Sequence, residues 1–167
     1  DEPNVLKSAA RLILPGVGHF TNGMQQLDAL GFTDIIKDHA LTKQKPILGI
    51  CLGMQLMTNH SEEGDVNGLG LVDAQTKKFQ VQDQLLKIPH MGWNEVSWQK
   101  ESDILDGLSA KPRYYFVHSY YVECNNPEDI LGLTNYGQYF VSAFQHENII
   151  GMQFHPEKSH QFGMEIL

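Results

Sequence analysis

A single cysteine stands between two glycines where an apolar run gives way to a helix-like segment. The stretch is GICLG (49–53), preceded by the apolar run 46–50 and followed by 52–60, where Leu and Met recur at helical spacing. A tight turn from strand to helix needs neighbours without Cβ atoms, and it leaves its central side chain unobstructed. The pattern G-x-C-x-G therefore predicts the strand–turn–helix unit of an α/β protein, with Cys51 presented at the turn.

The predicted helix has a chemical consequence for Cys51. Its first N–H groups, from about Leu52, and its positive dipole end both favour the thiolate, which is the nucleophilic form of cysteine. The same N–H groups can bind an oxyanion. A buried structural cysteine is the alternative interpretation, and this pattern alone leaves the two open.

A thiol nucleophile needs a general base, and the base needs an orienting group. The segment GMQFHPEKS (151–159) contains His155 at the end of a predicted buried strand, Pro156 to end that strand, and then Glu157. Sites in open α/β sheets gather at the carboxyl ends of strands, so Cys51 and His155 are expected at one edge. Taken singly, His155 would be an exposed loop histidine and Glu157 a solvated surface charge.

A third loop, LPGVGHF (14–20), follows another short strand, which is predicted to be buried and to stop at Pro15 and Gly16. Its glycines allow backbone N–H groups to turn toward a ligand. The Lys and Ser/Thr of a phosphate-binding loop are missing, so the loop is better suited to an oxyanion hole.

The rest of the chain fits one α/β domain. Residues 20–41 are predicted to be mostly helical with a break near Gly31, and a helix starts in 161–167. Segments rich in Val, Ile, Phe and Tyr predict strands within 68–80, 87–99, 113–124, 130–137 and 140–157. No repeat or linker divides residues 1–167, so we expect a single domain with a mixed sheet and helices on its faces.

Composition argues against several classes of function. Twenty acidic residues against 12 basic ones give a formal charge of −8, which disfavours binding to nucleic acid. No apolar run approaches the ~20 residues of a membrane-spanning helix. The first residues lack the apolar core of a signal peptide, so a cytoplasmic protein is expected. The two cysteines and eight histidines lack the spacing of a disulfide framework or a zinc site, so no metal is expected.

In this order, the motifs LPGVGHF, GICLGMQ and GMQFHPE resemble the class I, triad-type glutamine amidotransferases. PHMGWNEV (89–96) and YYFVHSYYV (114–122) narrow the resemblance to HisH, the family of glutaminase subunits of imidazole glycerol phosphate synthase. The resemblance runs from about Val5 to Leu167. It implies a three-layer, flavodoxin-like α/β fold with a mixed, mostly parallel sheet and helices on both faces.

The resemblance also implies a reaction and a set of residues. L-glutamine is hydrolysed to glutamate and ammonia through a cysteinyl thioester, without a cofactor. In the implied Cys-His-Glu triad, Cys51 is the nucleophile, His155 the general acid and base, and Glu157 the group that orients His155. The oxyanion positions are Val17, Gly18 and Leu52, and the substrate-binding positions are Gln55, Glu63, His118, Ser119 and Tyr120.

The implied partner is a HisF-like (β/α)₈ synthase subunit that forms a heterodimer with the glutaminase. It receives the ammonia and makes imidazole glycerol phosphate and AICAR in histidine biosynthesis, so the complex combines hydrolase and lyase activity. Glutaminases of this kind are nearly inactive until the partner is loaded. Trp93, Tyr115 and Lys158 match positions near the interface and the ammonia exit, although Trp93 could equally be a core residue.

Similar proteins begin with an additional strand and helix before a segment such as 11–18. We therefore expect the polypeptide that is made to be longer at its amino terminus.

Three other functions stay open on the sequence. The same glutaminase chemistry could serve a different synthase, such as one that aminates surface polysaccharides. The chain could be a non-catalytic interaction module on this fold, or a stand-alone cysteine peptidase or γ-glutamyl hydrolase that needs no partner.

Overall fold

The computed structural model describes residues 3–80, 85–109 and 111–167. The chain begins with helix α1 (Pro3–Ser8), strand β1 (Leu12–Gly16) and helices α2 (Phe20–Ala29) and α3 (Phe32–Lys37). Gly31 separates α2 from α3 with a φ of 68°, a left-handed conformation that glycine adopts without steric cost. The predicted helical break near Gly31 is confirmed.

Strand β2 (Ile47–Cys51) passes directly into helix α4 (Leu52–Leu56). The predicted helix over 52–60 is too long, because His60 already lies in strand β3 (His60–Ser61). The physical reason is that the following loop takes over the carbonyl groups at the helix end. Leu69 N–H donates to the Leu56 carbonyl at 2.8 Å, and the Thr58 hydroxyl donates to that of Gln55 at 2.8 Å.

Each of the five segments predicted to be strand-rich contains at least one strand. These strands, together with the short β4, are β4 (Val66–Asn67), β5 (Ala74–Lys78), β6 (His90–Glu95), β7 (Ser97–Trp98), β8 (Arg113–His118), β9 (Tyr120–Cys124), β10 (Ile130–Asn135), β11 (Tyr139–His146) and β12 (Ile149–Met152). Helix α5 (His160–Ile166) follows β12. Short helical turns lie at Asp38–Thr42, Asp103–Leu105, Pro127–Asp129 and Pro156–Lys158.

The strands form a ten-stranded sheet and a separate two-stranded sheet, β6–β8. The large sheet has the order β1-β2-β12-β11-β9-β5-β3-β4, with β10 and β7 branching from β11. The α/β class is confirmed, but the expectation of a mostly parallel sheet is corrected. In the described residues only β1–β2, β2–β12 and β3–β5 pair in parallel, because hairpins connect much of the second half of the chain.

Strand β1 also differs from its prediction. It continues through Pro15 to Gly16, with Pro15 opposite Ile50, instead of stopping at Pro15. Within the described residues β1 pairs only with β2, and a sheet edge tolerates a proline because its missing N–H is not required there. Its side chains are not all buried, since Ile13 is 60% exposed.

Both faces of the large sheet are covered. Alternate residues of β2 and β12 contribute to two apolar clusters: Ile47 and Ile149 to one, Leu48 and Ile150 to the other. The first cluster includes residues of α2, α3 and α4. The second includes Tyr114 and Phe116 of β8 and Ile166 of α5. No helix in the described parts of the chain has both the length and the apolar character needed to cross a membrane.

The parallel core aligns three strand ends at one edge. Gly16 of β1 lies opposite Cys51 of β2, and Met152 of β12 lies opposite Ile50. The loops that leave these three strands therefore emerge side by side, as the rule for open α/β sheets predicts.

Candidate active site

Cys51 sits at a tight and strained turn between β2 and α4. Its backbone has φ 53° and ψ −111°, a positive φ that non-glycine residues rarely adopt. The flanking glycines are needed for close approach. A Cβ atom on Gly49 would lie 2.7 Å from the Met54 nitrogen, and one on Gly53 would lie 1.7 Å from the Leu14 carbonyl oxygen. The turn thus has the sterics expected of G-x-C-x-G, and strain at such a position is typical of functional sites.

The thiol of Cys51 is buried, with 7% of the residue exposed. Burial raises the pKa of this thiol to about 11, and the electrostatic influence of Glu157 raises it further. The Leu52 N–H, Lys158 and Gln153 lower the pKa but do not compensate. The expectation that the helix start favours the thiolate is therefore corrected: its N–H acts in the predicted direction, but desolvation outweighs it.

His155 is held through its backbone and its ring. Its N–H donates to the Tyr115 carbonyl at 2.9 Å, and its own carbonyl accepts from the Ser159 hydroxyl at 2.6 Å. The Nδ1 atom lies 2.7 Å from Oε1 of Glu157. Because a carboxylate accepts, we assign the proton to Nδ1 and the basic lone pair to Nε2. That Nε2 atom is buried and has no hydrogen-bond partner among the described residues.

Cys51 and His155 line the same cavity, which has a volume of about 330 Å³. The predicted oxyanion and substrate positions line it as well: Val17, Gly18, Leu52, Gln55, Glu63, His118, Ser119 and Tyr120. Glu157 is set back from it and reaches it through His155. The structure thus brings together every residue that the resemblance assigns to the reaction. A cavity with a nucleophile, an unpartnered base and a carboxylate suits acyl transfer.

Two polar side chains of the cavity, Glu63 and His118, already form hydrogen bonds within the protein. Oε2 of Glu63 accepts from the Phe20 N–H at 2.8 Å, which holds the carboxylate at the start of α2. His118 was expected to contact substrate, but both its ring nitrogens are already used. Nδ1 lies 2.7 Å from the Tyr120 carbonyl oxygen, and Nε2 lies 3.1 Å from Nδ1 of His90. His118 therefore supports the cavity wall.

Sequence reasoning missed three residues that contact this machinery. Gln153 lies 3.8 Å from the Cys51 sulfur through its Nε2 atom, Ser159 holds the His155 backbone, and His90 contacts His118. Gln153 and Ser159 belong to the GMQFHPEKS segment already quoted, and His90 to PHMGWNEV. Their side chains act only through tertiary neighbours, so the sequence carried no signal for their roles.

The three predicted interface residues share a shallow surface pocket. Trp93, Tyr115 and Lys158 line it together with Val117 and His160. Trp93 is 37% exposed and stacks on His160 with the ring planes 1° from parallel, so it is not a core residue. The described residues contain no group of three His, Cys, Asp or Glu side chains arranged to hold a metal ion.

The family model for class I glutamine amidotransferases matches residues 2–167. Imidazole glycerol phosphate synthase subunit HisH 2 of Methanococcus maripaludis is 48% identical over 167 residues, which are 100% of this chain and 82% of that protein. The HisH 2 subunit of Pseudomonas aeruginosa is 48% identical over 166 residues, 99% of this chain and 82% of that protein.

The chain belongs to the HisH family of class I glutamine amidotransferases. Membership of this family makes it an enzyme, a glutaminase. A solved structure agrees on the fold: a protein of Thermoplasma acidophilum assigned to GMP synthase superposes with a TM-score of 0.70 at 25% identity. That match covers 99% of this HisH chain and 72% of the other.

The close approach at Gly53 predicts a specific cost. We expect Gly53→Ala to lower the free energy of unfolding by about 3 kcal/mol or more, because its Cβ would collide with backbone that cannot rotate away. Gly31→Ala is the control, since that Cβ meets nothing within 4 Å and only its φ of 68° is strained. There the cost should be about 1–2 kcal/mol. Urea unfolding measures both, and equal costs would contradict the steric role of Gly53.

The buried imidazoles predict a pH dependence of stability. Burial lowers the pKa of His90 to about 4 and that of His118 to about 3. Between the unfolded pKa of about 6.5 and these values, the unfolded chain binds protons that the native state does not. The free energy of unfolding should therefore fall as pH drops from about 6.5 toward 4, by up to about 1.4 kcal/mol per pH unit for each imidazole.

Urea unfolding at pH 7, 6 and 5 tests this dependence. His90→Asn removes one titrating ring and leaves His118 in place. In this variant the free energy of unfolding should therefore change less steeply with pH, by the contribution of about one proton. An unchanged slope in this variant would show that His90 titrates normally in the folded protein.

Proposed function

We propose that this chain is the glutaminase subunit of imidazole glycerol phosphate synthase. It hydrolyses L-glutamine to glutamate and ammonia through a thioester on Cys51. One observation carries the proposal: His155, whose Nδ1 is held by Glu157 and whose Nε2 has no hydrogen-bond partner among the described residues, lines the same cavity as Cys51. The identity of 48% to HisH subunits supports the assignment to this synthase.

The raised thiol pKa defines the resting state. With the pKa of Cys51 near 11, the nucleophile rests as a neutral thiol and not as a thiolate. Attack therefore requires His155 to remove the thiol proton as the sulfur approaches the substrate. Glu157 stabilises the imidazolium that forms, because its carboxylate accepts the Nδ1 hydrogen bond.

In the first half-reaction, Nε2 of His155 takes the thiol proton and the sulfur forms a bond to the carboxamide carbon of glutamine. The oxyanion meets the Leu52 N–H and a backbone N–H of the Val17–Gly18 loop. The intermediate collapses, the carbon–nitrogen bond breaks, and Nε2 returns its proton to the departing ammonia. The product on the enzyme is the γ-glutamyl thioester.

In the second half-reaction, water replaces ammonia in the same position. Nε2 of His155 takes a proton from this water as its oxygen attacks the thioester carbon. The carbon–sulfur bond breaks, glutamate is released, and the proton returns from Nε2 to the sulfur of Cys51. One imidazole thus acts as base, acid, base and acid in turn, and no cofactor takes part.

Substrate specificity follows from the ends of the cavity. The Glu63 carboxylate can accept from the α-ammonium group of glutamine, and backbone N–H groups near Ser119 and Tyr120 can bind its carboxylate. Gln55 lines the same cavity as these groups and Cys51. The cavity therefore combines a site for each charged group of a free amino acid with a nucleophile for its amide, which favours glutamine over a peptide bond.

The ammonia passes to a HisF-like (β/α)₈ synthase subunit, which binds at the pocket formed by Trp93, Tyr115 and Lys158. Lys158 links this pocket to the reaction centre, since its charge acts on the Cys51 thiol. A half-exposed tryptophan on a strand suits an interface anchor.

We assign the enzyme to the cytoplasm, where a reducing environment keeps Cys51 and Cys124, both unpaired here, as thiols.

The test is glutamine turnover by the complex with a HisF-type synthase loaded with its nucleotide substrate. Wild type should release glutamate at a rate at least about 10³-fold above Cys51→Ala, because the nucleophile is lost. The wild-type chain alone should be only slightly active. Equal inactivity of wild type and Cys51→Ala in the loaded complex would favour a non-catalytic module. Full activity without a partner would favour a stand-alone hydrolase.

The interface has its own prediction. Trp93→Ala should raise the dissociation constant for the synthase about 30-fold, roughly 2 kcal/mol, as expected for the loss of an aromatic anchor. Leu41→Ala is the control, an apolar side chain that is 50% exposed and lines none of these pockets. Calorimetric titration with the synthase compares them. Equal affinities for the two variants would place the partner elsewhere.

A further inference from the structure

Gln153 is a buried amide that touches the nucleophile and has no role in the mechanism above. It follows β12 directly, and the register of β12 with β2 sets it beside Cys51. None of its surface is exposed. Its Nε2 atom lies 3.8 Å from the Cys51 sulfur, and its backbone N–H donates to the Ser142 carbonyl at 2.9 Å.

The orientation of this amide is determined by a fixed acceptor. The Tyr120 carbonyl can only accept, so the Gln55 atom 3.1 Å from it must be the amide nitrogen. The same nitrogen lies 2.9 Å from the Gln153 side chain, which must therefore present its oxygen there. The remaining atom of Gln153, its NH₂ group, then faces the sulfur. An N–H donor beside the sulfur stabilises the thiolate. The S–H proton of the neutral thiol then points away from Gln153, because two donors cannot face each other.

The Tyr120 carbonyl also contacts one imidazole, that of His118, which a second imidazole, that of His90, contacts in turn. Nδ1 of His118 lies 2.7 Å from this carbonyl and must donate, so Nε2 of His118 is an acceptor. Nδ1 of His90, 3.1 Å from that Nε2, must then donate as well. This leaves Nε2 of His90 to accept from the Asn94 amide, 3.4 Å away, which also donates to the Asn135 carbonyl at 2.9 Å.

Every hydrogen bond from Asn94 to Cys51 thus has only one possible direction. Both imidazoles must be neutral, because a second proton on either ring would face another donor. Their burial, with 3% of His90 and 6% of His118 exposed, keeps them so. Charges do act on Cys51, Lys158 in one direction and Glu157 in the other, but neither belongs to this chain of hydrogen bonds.

We propose that Gln153, Gln55, the Tyr120 carbonyl, His118 and His90 form a positioning relay for the thiol of Cys51. Gln153 stabilises the developing thiolate directly, and His90 is a positioning residue that acts through His118 and Tyr120. The inference deepens the proposed function and rests on it. In this relay Gln55 positions Gln153, which contacts the nucleophile, and it also lines the substrate cavity.

Alkylation of Cys51 by iodoacetamide measures the relay without glutamine or a partner. Gln153→Leu removes the donor at similar volume, and we expect the apparent pKa of the Cys51 thiol to rise by about one pH unit, with alkylation at pH 8 roughly tenfold slower. Peptide mass mapping separates Cys51 from Cys124. Gln145→Leu is the matched control, because Gln145 lies outside the relay and should leave the pH profile unchanged.

In the loaded complex, Gln153→Leu should lower kcat for glutamine about tenfold with KM changed less than twofold, since the donor acts on the sulfur and not on the substrate. A wild-type alkylation profile in a Gln153→Leu protein with native circular dichroism would overturn the proposal. So would a loss confined to KM. If wild type itself does not turn over glutamine, the proposed function fails, while the alkylation profile still decides the relay.

His90 supplies a second pair of variants that does not depend on Gln153→Leu folding. His90→Asn places an amide N–H where Nδ1 donates to His118, whereas His90→Gln moves the amide toward the position of Nε2 and removes that donor. We expect His90→Asn to retain the wild-type alkylation profile and His90→Gln to slow alkylation at pH 8 about threefold. Identical profiles for these two variants would overturn the role of His90.

Discussion

The site depends on how closely the start of α4 approaches strand β1. At Gly53 the gap to the Leu14 carbonyl admits no Cβ atom, and at Gly49 the gap to the backbone of Met54 is also too small for one. This approach forces the chain to reverse within one residue, and Cys51 takes the positive φ that results. The strain is borne by Cys51, which we propose as the nucleophile, and the packed backbone around it prevents relaxation.

The same close packing explains the electrostatics of the thiol. A cysteine held this tightly against β1 and β12 is buried, and burial raises its pKa more than one helical N–H can lower it. The helix that follows has only five residues, so it adds little beyond that N–H. In the proposed reaction, the neutral thiol depends on His155 to remove its proton. The backbone of His155 is bound at both its N–H and its carbonyl, and its Nδ1 atom is held by Glu157.

Much of the site could be predicted from the sequence because its essential parts are local. The glycines of GICLG predict a tight turn at Cys51, because they lack Cβ atoms. His155 and Glu157 are two residues apart, so their hydrogen bond needs only a turn at Pro156. The helical break at Gly31 and the strand-rich second half also follow from local patterns. The length of α4 could not be predicted from a local pattern, because the loop at 68–71 competes for its carbonyl groups from outside the helix.

The sequence by itself therefore determined the class of fold and the family, and it predicted Cys51, His155 and Glu157 as nucleophile, base and orienting carboxylate, since each lies in a short motif with a steric or chemical reason. Tertiary structure decided the directions of the strands, the protonation preference of Cys51 and the identity of the residues behind it. Gln153, Gln55 and His118 meet from distant parts of the chain, and desolvation depends on everything packed around the thiol. No local pattern encodes either of these, because both arise only once the sheet has brought its strand ends together.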